Sequence, residues 1–139
     1  MLFSYPSCLY ILLHSLVIDP YIIVRLHDVK KTADAGQDDM DEIKITECRT
    51  SEVKDNGFCP QWKDAEYFEF QVNSDVAMIE FIVMDSDTGF VDDLVCMAAV
   101  PVSCLKQGYR SLQLYDRRGS QHGPFDFARI IVDVDIKYN

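Results

Sequence analysis

The sequence has little of the positive charge that nucleic-acid-binding proteins use. Thirteen Lys and Arg residues stand against 23 Asp and Glu residues, which gives a net charge of −10. This balance excludes binding to a phosphate backbone over a sustained face, and it disfavours unaided adsorption to an anionic membrane. A bound divalent cation would reverse the sign of the charge locally.

The sequence also lacks the motifs of several catalytic classes. It contains no His-Glu-x-x-His, no Gly-x-Ser-x-Gly and no Gly-x-x-x-x-Gly-Lys. Its three histidines, His14, His27 and His122, are far apart in the sequence, which favours structural or solvated roles. Cys96 and Cys104 have no visible basic or helix-start setting that would activate a thiol. We therefore assign no catalytic and no organic-cofactor-binding residue.

The five cysteines form no closely spaced metal-binding pair, and their odd number leaves one thiol over. This usage predicts reduced cysteines in a cytoplasmic protein. Residues 1–18 carry no Lys or Arg and so lack the basic region of a secretory signal. The apolar run 9–18 is short for a membrane span of ~20 residues. A buried strand, a membrane-associated segment and a mispredicted N-terminus are the three interpretations of this stretch.

Apolar residues at every second position predict β-strands with one face in the core. The clearest patterns are Ile22/Val24/Leu26, Phe68/Phe70/Val72, Ile79/Phe81/Val83 and Ile130/Val132/Val134/Ile136. Weaker patterns predict strands near residues 42–48, 94–100 and 109–114, and no segment convincingly predicts a helix. Seven or eight strands separated by turn signals indicate an all-β fold, a two-sheet antiparallel sandwich in a single domain.

Four aspartates are placed at the ends of predicted strands. Asp85 and Asp87 follow the apolar run 79–84, and alternation in a strand points them the same way. Asp93 precedes the next apolar run, and Asp19 opens another strand. A hard cation relieves the repulsion among such carboxylates, and calcium accepts irregular loop geometry better than magnesium or zinc. The pattern therefore favours a calcium site.

The segment Asp85-Ser86-Asp87-Thr88-Gly89 is superficially similar to an EF-hand loop. The match fails because Gly89 stands where a third ligand belongs and no glutamate closes the loop at its twelfth position. Taken alone, the segment is an ordinary acidic turn. The calcium hypothesis therefore depends on neighbouring segments.

Four neighbouring segments are informative together: Asp19-Pro20-Tyr21-Ile22-Ile23-Val24, Asn56-Gly57-Phe58-Cys59-Pro60-Gln61-Trp62, Phe81-Ile82-Val83-Met84-Asp85-Ser86-Asp87, and the region from Pro101 through Leu105-Lys106-Gln107-Gly108-Tyr109-Arg110. These segments resemble the C2 domain family. They occur in family order, and the resemblance covers residues 18–138. The run 105–110 is similar to the C2 domain of phosphoinositide-specific phospholipases C, which narrows the family to that lipase class.

The resemblance implies an eight-stranded antiparallel C2-type β-sandwich whose loops at one end hold Ca2+ and touch anionic phospholipid. The positions that match calcium ligands are Asp19, Asp85, Asp87, Asp93 and, beside the metal, Asn56, with main-chain oxygens of Ile18 and Ser86 able to complete the shell. The loop-tip residues Thr88, Phe90 and Val91 are the expected membrane contacts. In these lipases catalysis belongs to a separate barrel, so the chain resembles a C-terminal piece of such an enzyme.

The chain departs from the family pattern in two places. Cys59 replaces the usual Asn before Pro60, and residues 1–17 stand where the first strand and first calcium loop belong. We divide the chain into an atypical segment, 1–17, and a C2 domain, 18–139. Residues 8–13 are predicted to form a substitute first strand beside the strand that begins at Tyr21, with residues 1–6 loose.

Two functions remain open from the sequence. One is a cytoplasmic, peripheral-membrane module that docks a phosphoinositide phospholipase C on phospholipid in response to calcium during lipid signalling. The alternative is a calcium-independent interaction or scaffolding C2 domain that packs against a catalytic domain or a partner protein. The altered N-terminus and the excess negative charge favour the alternative.

Overall fold

The computed structural model describes residues 2–4, 9–10, 17–30, 42–62 and 67–137. In this part of the chain the strands are β1 Leu2–Ser4, β2 Leu9–Tyr10, β3 Pro20–Lys30, β4 Glu42–Arg49, β5 Tyr67–Glu69, β6 Met78–Asp85, β7 Asp93–Pro101, β8 Gly108–Gln113 and β9 Arg129–Asp135. Two short 3₁₀ turns, Val102–Cys104 and Gly123–Phe125, connect strands. None of the helical turns in these residues is long enough to cross a membrane. The predicted all-β sandwich is confirmed.

The strands form two antiparallel sheets. One has four strands in the order β4-β3-β6-β7. In the other, β9 pairs with β8 along one edge and with β1 and β2 along the other, and β5 lies beyond β1. Both β1 and β2 run antiparallel to β9. Strand β1 pairs with residues 133–135 of β9 and β2 pairs with residues 129–130, so the two short strands lie one after the other along one edge of β9.

The core lies between the two sheets and is made by the alternating residues. Its buried side chains include Ile22, Val24 and Leu26 of β3, Ile79, Phe81 and Val83 of β6, and Ile130, Val132 and Val134 of β9. The sequence pattern therefore selected the inward face of each of these strands. Two boundaries differ from the alternation: β5 ends at Glu69 although the apolar pattern continues to Val72, and β9 ends at Asp135, one residue before Ile136. Phe70, which directly follows the end of β5, is nevertheless buried in the core.

The N-terminal strands pair differently from the prediction. Both edges of β3 are occupied, by β4 and by β6, so the predicted slot beside Tyr21 is already filled. Leu9–Tyr10 pairs instead with the start of β9. Leu2–Ser4 pairs with both β5 and β9, so the expectation that this stretch is loose was wrong. Residues 8 and 11–13 of the predicted substitute strand, and His14, lie outside the described residues.

Among the described residues, Cys48, Cys96 and Cys104 carry free thiols. Burial raises the pKa of Cys96 to about 12, so that thiol stays protonated at neutral pH. Cys96 therefore behaves as a small apolar residue of the core, as its position in an apolar run predicted.

Asp28 is a buried carboxylate that fastens β3 to the segment before β6. Its two oxygens accept five hydrogen bonds, from the main chain of Val29, Asn73 and Ser74 and from the side chains of Asn73 and Ser74, at 2.6–3.1 Å. Burial raises the pKa of Asp28, but these bonds outweigh the burial and hold the net pKa below its ordinary value. The ionised form is therefore the one that stabilises the fold.

We expect Asp28→Asn to destabilise the protein by about 2–4 kcal/mol at pH 7, because the amide turns a donor toward groups that themselves donate. A lowered pKa stabilises the folded state above the unfolded pKa of about 3.9 and loses that effect as the pH falls through the folded value. The difference between variant and parent should thus shrink below pH 4. Urea unfolding at several pH values measures it, with the exposed Asp75→Asn as the control. A pH-independent difference would contradict this role.

Deleting residues 1–10 should lower the melting temperature by about 5 °C or more, or make the protein insoluble. The reason is that β1 and β2 cover one edge of β9, and β1 also pairs with β5. Thermal unfolding and the soluble fraction after expression measure the effect. A soluble and equally stable deletion variant would show that these strands contribute nothing to the fold.

Candidate functional site

Strand register brings three of the predicted aspartates to one end of the four-stranded sheet. Asp85, the last residue of β6, is the antiparallel partner of Pro20 in β3 and of Asp93 in β7. Asp19 immediately precedes Pro20. Opposed residues in antiparallel strands have Cα atoms roughly 4.5–5.5 Å apart. Together with Asp87, these residues form what we call the acidic cluster: Asp19, Asp85, Asp87 and Asp93.

Asp85 is at the centre of the acidic cluster. Burial raises the pKa of the Asp85 carboxyl, and the negative charges of Asp87, Asp19 and Asp93 raise it further. A hydrogen bond from the main-chain N–H of Asp19 to Asp85 Oδ1, 2.9 Å long, acts in the opposite direction but does not cancel these effects. The carboxylates of the acidic cluster are therefore close enough to repel one another.

A lysine that the sequence argument did not single out lies against the acidic cluster. Lys54 Nζ is 2.9 Å from Asp19 Oδ2 and 2.9 Å from Glu52 Oε1. The other oxygen of Asp19, Oδ1, accepts a 2.7 Å hydrogen bond from the main-chain N–H of Asp55. That bond, followed by the one from Lys54, lowers the pKa of Asp19, and the two carboxylates raise the pKa of Lys54. The sequence signal that could have identified Lys54 was its position two residues before Asn56, a predicted ligand.

Asn56 lies in the loop beside Asp19, but its side chain closes a turn. Its Nδ2 donates to the Cys59 carbonyl at 3.0 Å, and its Oδ1 accepts from the Cys59 N–H at 3.0 Å. Its own N–H donates to the carbonyl of Ile18 at 3.0 Å. Both Oδ1 and Nδ2 of Asn56 thus bond within the turn, and the main-chain bond to Ile18 fixes this loop next to Asp19.

A second missed residue, Asp92, anchors the loop that carries Asp87. Asp92 Oδ2 accepts a 2.7 Å hydrogen bond from the Tyr21 hydroxyl, and Oδ1 accepts a 3.2 Å bond from the Asp87 N–H. The Tyr21 bond lowers the pKa of Asp92. The guanidinium of Arg49 lies 3.6 Å from the centre of the Tyr21 ring. These contacts connect β3, β4 and the β6–β7 loop, so Asp87 is held by a network rather than by the loop alone.

The predicted membrane contacts are on the surface of the same loop. Phe90 is 84% exposed and Val91 is 87% exposed, and Thr88 is exposed beside them. Two further apolar residues are exposed on the neighbouring segments, Val17 directly before Ile18 and Phe58 in the turn that Asn56 closes. Sequence reasoning missed both because each is a single apolar residue without a periodic pattern.

The donor set suits a hard divalent cation in its chemistry, because all of its side chains offer oxygen ligands. The placement of these side chains is less favourable for a metal ion. Within the described residues, no three or more His, Cys, Asp or Glu side chains are placed as a group that could hold a metal ion. Both oxygens of Asp19 and the amide of Asn56 are already engaged. The metal-ligand set therefore remains a prediction, and it requires side chains to rearrange.

Comparison with known proteins gives a family match. The C2 domain family model matches residues 13–116. The chain is 35% identical over 107 residues to 1-phosphatidylinositol 4,5-bisphosphate phosphodiesterase delta-1 of Rattus norvegicus, covering 76% of this chain and 12% of that protein. It is 31% identical over 123 residues to the delta-3 enzyme of Mus musculus, covering 88% of this chain and 14% of that enzyme.

A third relative carries a different description. The chain is 33% identical over 104 residues to inactive phospholipase C-like protein 2 of Mus musculus, covering 74% of this chain and 8% of that protein. The chain thus spans only a small part, 8–14%, of these relatives.

A solved structure has the same fold. A C2 domain of a plant extended synaptotagmin 1 superposes with a TM-score of 0.67 at 16% identity, covering 95% of this chain and 89% of that chain. At that identity the likeness concerns the fold alone. The sheet order, the family match and the delta-class relatives agree, and the chain belongs to the C2 domain family, where it is related to the C2 regions of delta-class phosphoinositide phospholipases C.

Proposed function

We propose that this C2 domain docks a phosphoinositide phospholipase C on anionic phospholipid in response to calcium. The observation that carries the proposal is the position of the acidic cluster directly beside the exposed Phe90 and Val91. Negative charge and apolar surface at one end would oppose each other at an anionic membrane until a cation neutralises the acids. Calcium dependence follows from that opposition.

Asp85, Asp87 and Asp93 would hold the ion, and Asp19 would join them once Lys54 has left its carboxylate. The raised pKa of Asp85 supports this assignment, because it reports carboxylates that repel one another. The bonds from Tyr21 and Asp87 to Asp92 would keep the loop in position during binding. The bound ion would supply positive charge at the lipid surface.

The setting of the domain is part of the proposal. The relatives named as phosphodiesterases are much longer than this chain, because the matched regions cover 12% and 14% of their lengths. We therefore assign lipid hydrolysis to a separate catalytic barrel and assign peripheral membrane attachment, in a cytoplasmic setting, to this domain. Its partners would be anionic phospholipid and that barrel.

A calcium-independent interaction domain is the second candidate. The ion pair between Lys54 and Asp19 favours it, since the domain already carries a positive group at its acidic cluster. A relative named inactive phospholipase C-like protein shows that this family includes members described as inactive. In this case the domain would pack against a catalytic domain or a partner protein whether calcium is present or not.

The acidic cluster predicts a calcium-dependent gain in stability. In the parent, calcium at ten times its dissociation constant should raise the melting temperature by about 5 °C. Asp85→Asn plus Asp87→Asn should abolish this shift and leave the calcium-free fold intact, because the amide introduced at position 85 keeps an Oδ1 that can accept from the Asp19 N–H. Scanning calorimetry with and without calcium measures both effects.

Asp126→Asn plus Asp133→Asn is the matched control, since it removes two negative charges outside the acidic cluster. This control should respond to calcium as the parent does. Identical responses of the cluster variant and the parent would mean that Asp85 and Asp87 form only a solvated turn, and the scaffolding function would then be preferred.

Membrane attachment should require both calcium and the loop tip. The parent should co-sediment with phosphatidylserine vesicles in calcium and stay in solution with chelator, because its net charge of −10 is repelled. Phe90→Ser plus Val91→Ser should weaken vesicle binding about tenfold or more while keeping the calcium-induced thermal shift. Val76→Ser plus Phe127→Ser, at other exposed apolar positions, should bind normally. Equal binding of the parent with calcium and with chelator would contradict the proposal.

A further inference from the structure

We propose that Lys54 is a resident cation of the acidic cluster, and that calcium must displace its ammonium group from Asp19 before Asp19 can act as a ligand. This inference deepens the proposed function, and its calcium-dependent part rests on that function. It assigns to Lys54 the control of how much calcium the domain needs.

Lys54 Nζ lies 2.9 Å from Asp19 Oδ2, and the Asp55 N–H lies 2.7 Å from Asp19 Oδ1. Each oxygen of Asp19 therefore has a donor directed at it. Rotation of the carboxylate toward Asp85 and Asp93 would break at least one of these contacts, whereas removal of the Lys54 side chain frees Oδ2 and leaves the main-chain bond in place.

Lys54 contacts two carboxylates at once, since Glu52 Oε1 is also 2.9 Å from its Nζ. The acids near Lys54 include Glu52 and the members of the acidic cluster. One ammonium group thus lowers the repulsion that would otherwise destabilise these loops, and it repels an arriving divalent cation.

The Lys54 side chain is 57% exposed, and the ammonium group is attached to a flexible stem of four carbons. Such a group can leave its partner without any change in the main chain. The displacement therefore costs little structural rearrangement, and Lys54 can raise the calcium requirement without abolishing binding.

The test compares three lysine variants in calcium-free buffer and in a calcium titration followed by thermal unfolding. Lys54→Met removes the charge, Lys54→Arg retains it, and Lys106→Met removes an exposed lysine that follows the 3₁₀ turn at the far end of β7. Lys54→Met should lower the calcium concentration at half-maximal shift by about three- to tenfold. Lys54→Arg and Lys106→Met should stay near the parent value.

A second measurement does not need calcium. Without calcium at low salt, Lys54→Met should melt below Lys106→Met, because the acidic cluster has lost its counter-ion. Raising sodium chloride from about 0.01 M to 1 M should remove most of this difference, because the screening length falls from about 30 Å to 3 Å. The variant Lys54→Arg, which retains the charge, should show little loss of stability at low salt.

The outcomes separate this inference from the docking function. A lower calcium midpoint together with a salt-sensitive loss of stability supports Lys54 as the resident cation. The inference is wrong if Lys54→Met and Lys106→Met have the same stability without calcium. It is also wrong if the parent responds to calcium and Lys54→Met needs the same calcium concentration for a half-maximal shift. If calcium shifts neither protein but the salt-sensitive loss is present, the calcium-docking function fails and Lys54 is the permanent counter-ion of a scaffolding domain.

Discussion

The antiparallel register of β3, β6 and β7 is the constraint on which the candidate site depends. The register that pairs Ile22 with Val83 in the core also pairs Pro20 with Asp85 at the end of the sheet. A slip by one residue would turn every core side chain of a strand to the opposite face. Burial of the apolar alternation therefore fixes where the carboxylates meet, and the acidic cluster is positioned by the same contacts that stabilise the domain.

The two ends of this sheet handle acidic residues in different ways. Toward the end of β3, Asp28 is buried, and five hydrogen-bond donors hold its charge, so its pKa falls. At the start of β3, Asp85 has one main-chain donor and three acidic neighbours, and its pKa rises. A carboxylate whose charge is fully compensated stabilises a fold. A carboxylate left among like charges is a group that a cation can stabilise, which is the physical reason for proposing Asp85 as a ligand while Asp28 is assigned to the fold.

The inward faces of the strands and the position of the acids could be predicted from the sequence, because both follow from period-two alternation and chain order. The pairing of Leu2–Ser4 and Leu9–Tyr10 could not, because it depends on which strand edges remain open after β4 and β6 have covered β3. Lys54 and Asp92 were also missed. Their partners, Asp19 and Tyr21, are 35 and 71 residues away in sequence, so only the folded arrangement identifies these contacts.

The choice between the two proposed functions is a question of charge balance at one end of the domain. The net charge of −10 opposes the approach of Phe90 and Val91 to an anionic surface unless positive charge is added beside them. Lys54 supplies one unit of positive charge, which it shares between Asp19 and Glu52, so it does not balance the other three aspartates of the acidic cluster as well. If a divalent cation supplies the remainder, the apolar loop tip becomes a lipid contact. If the lysine alone suffices to keep the loops folded, the same tip is free to pack against protein, and the family scaffold serves either use without a change in its sheets.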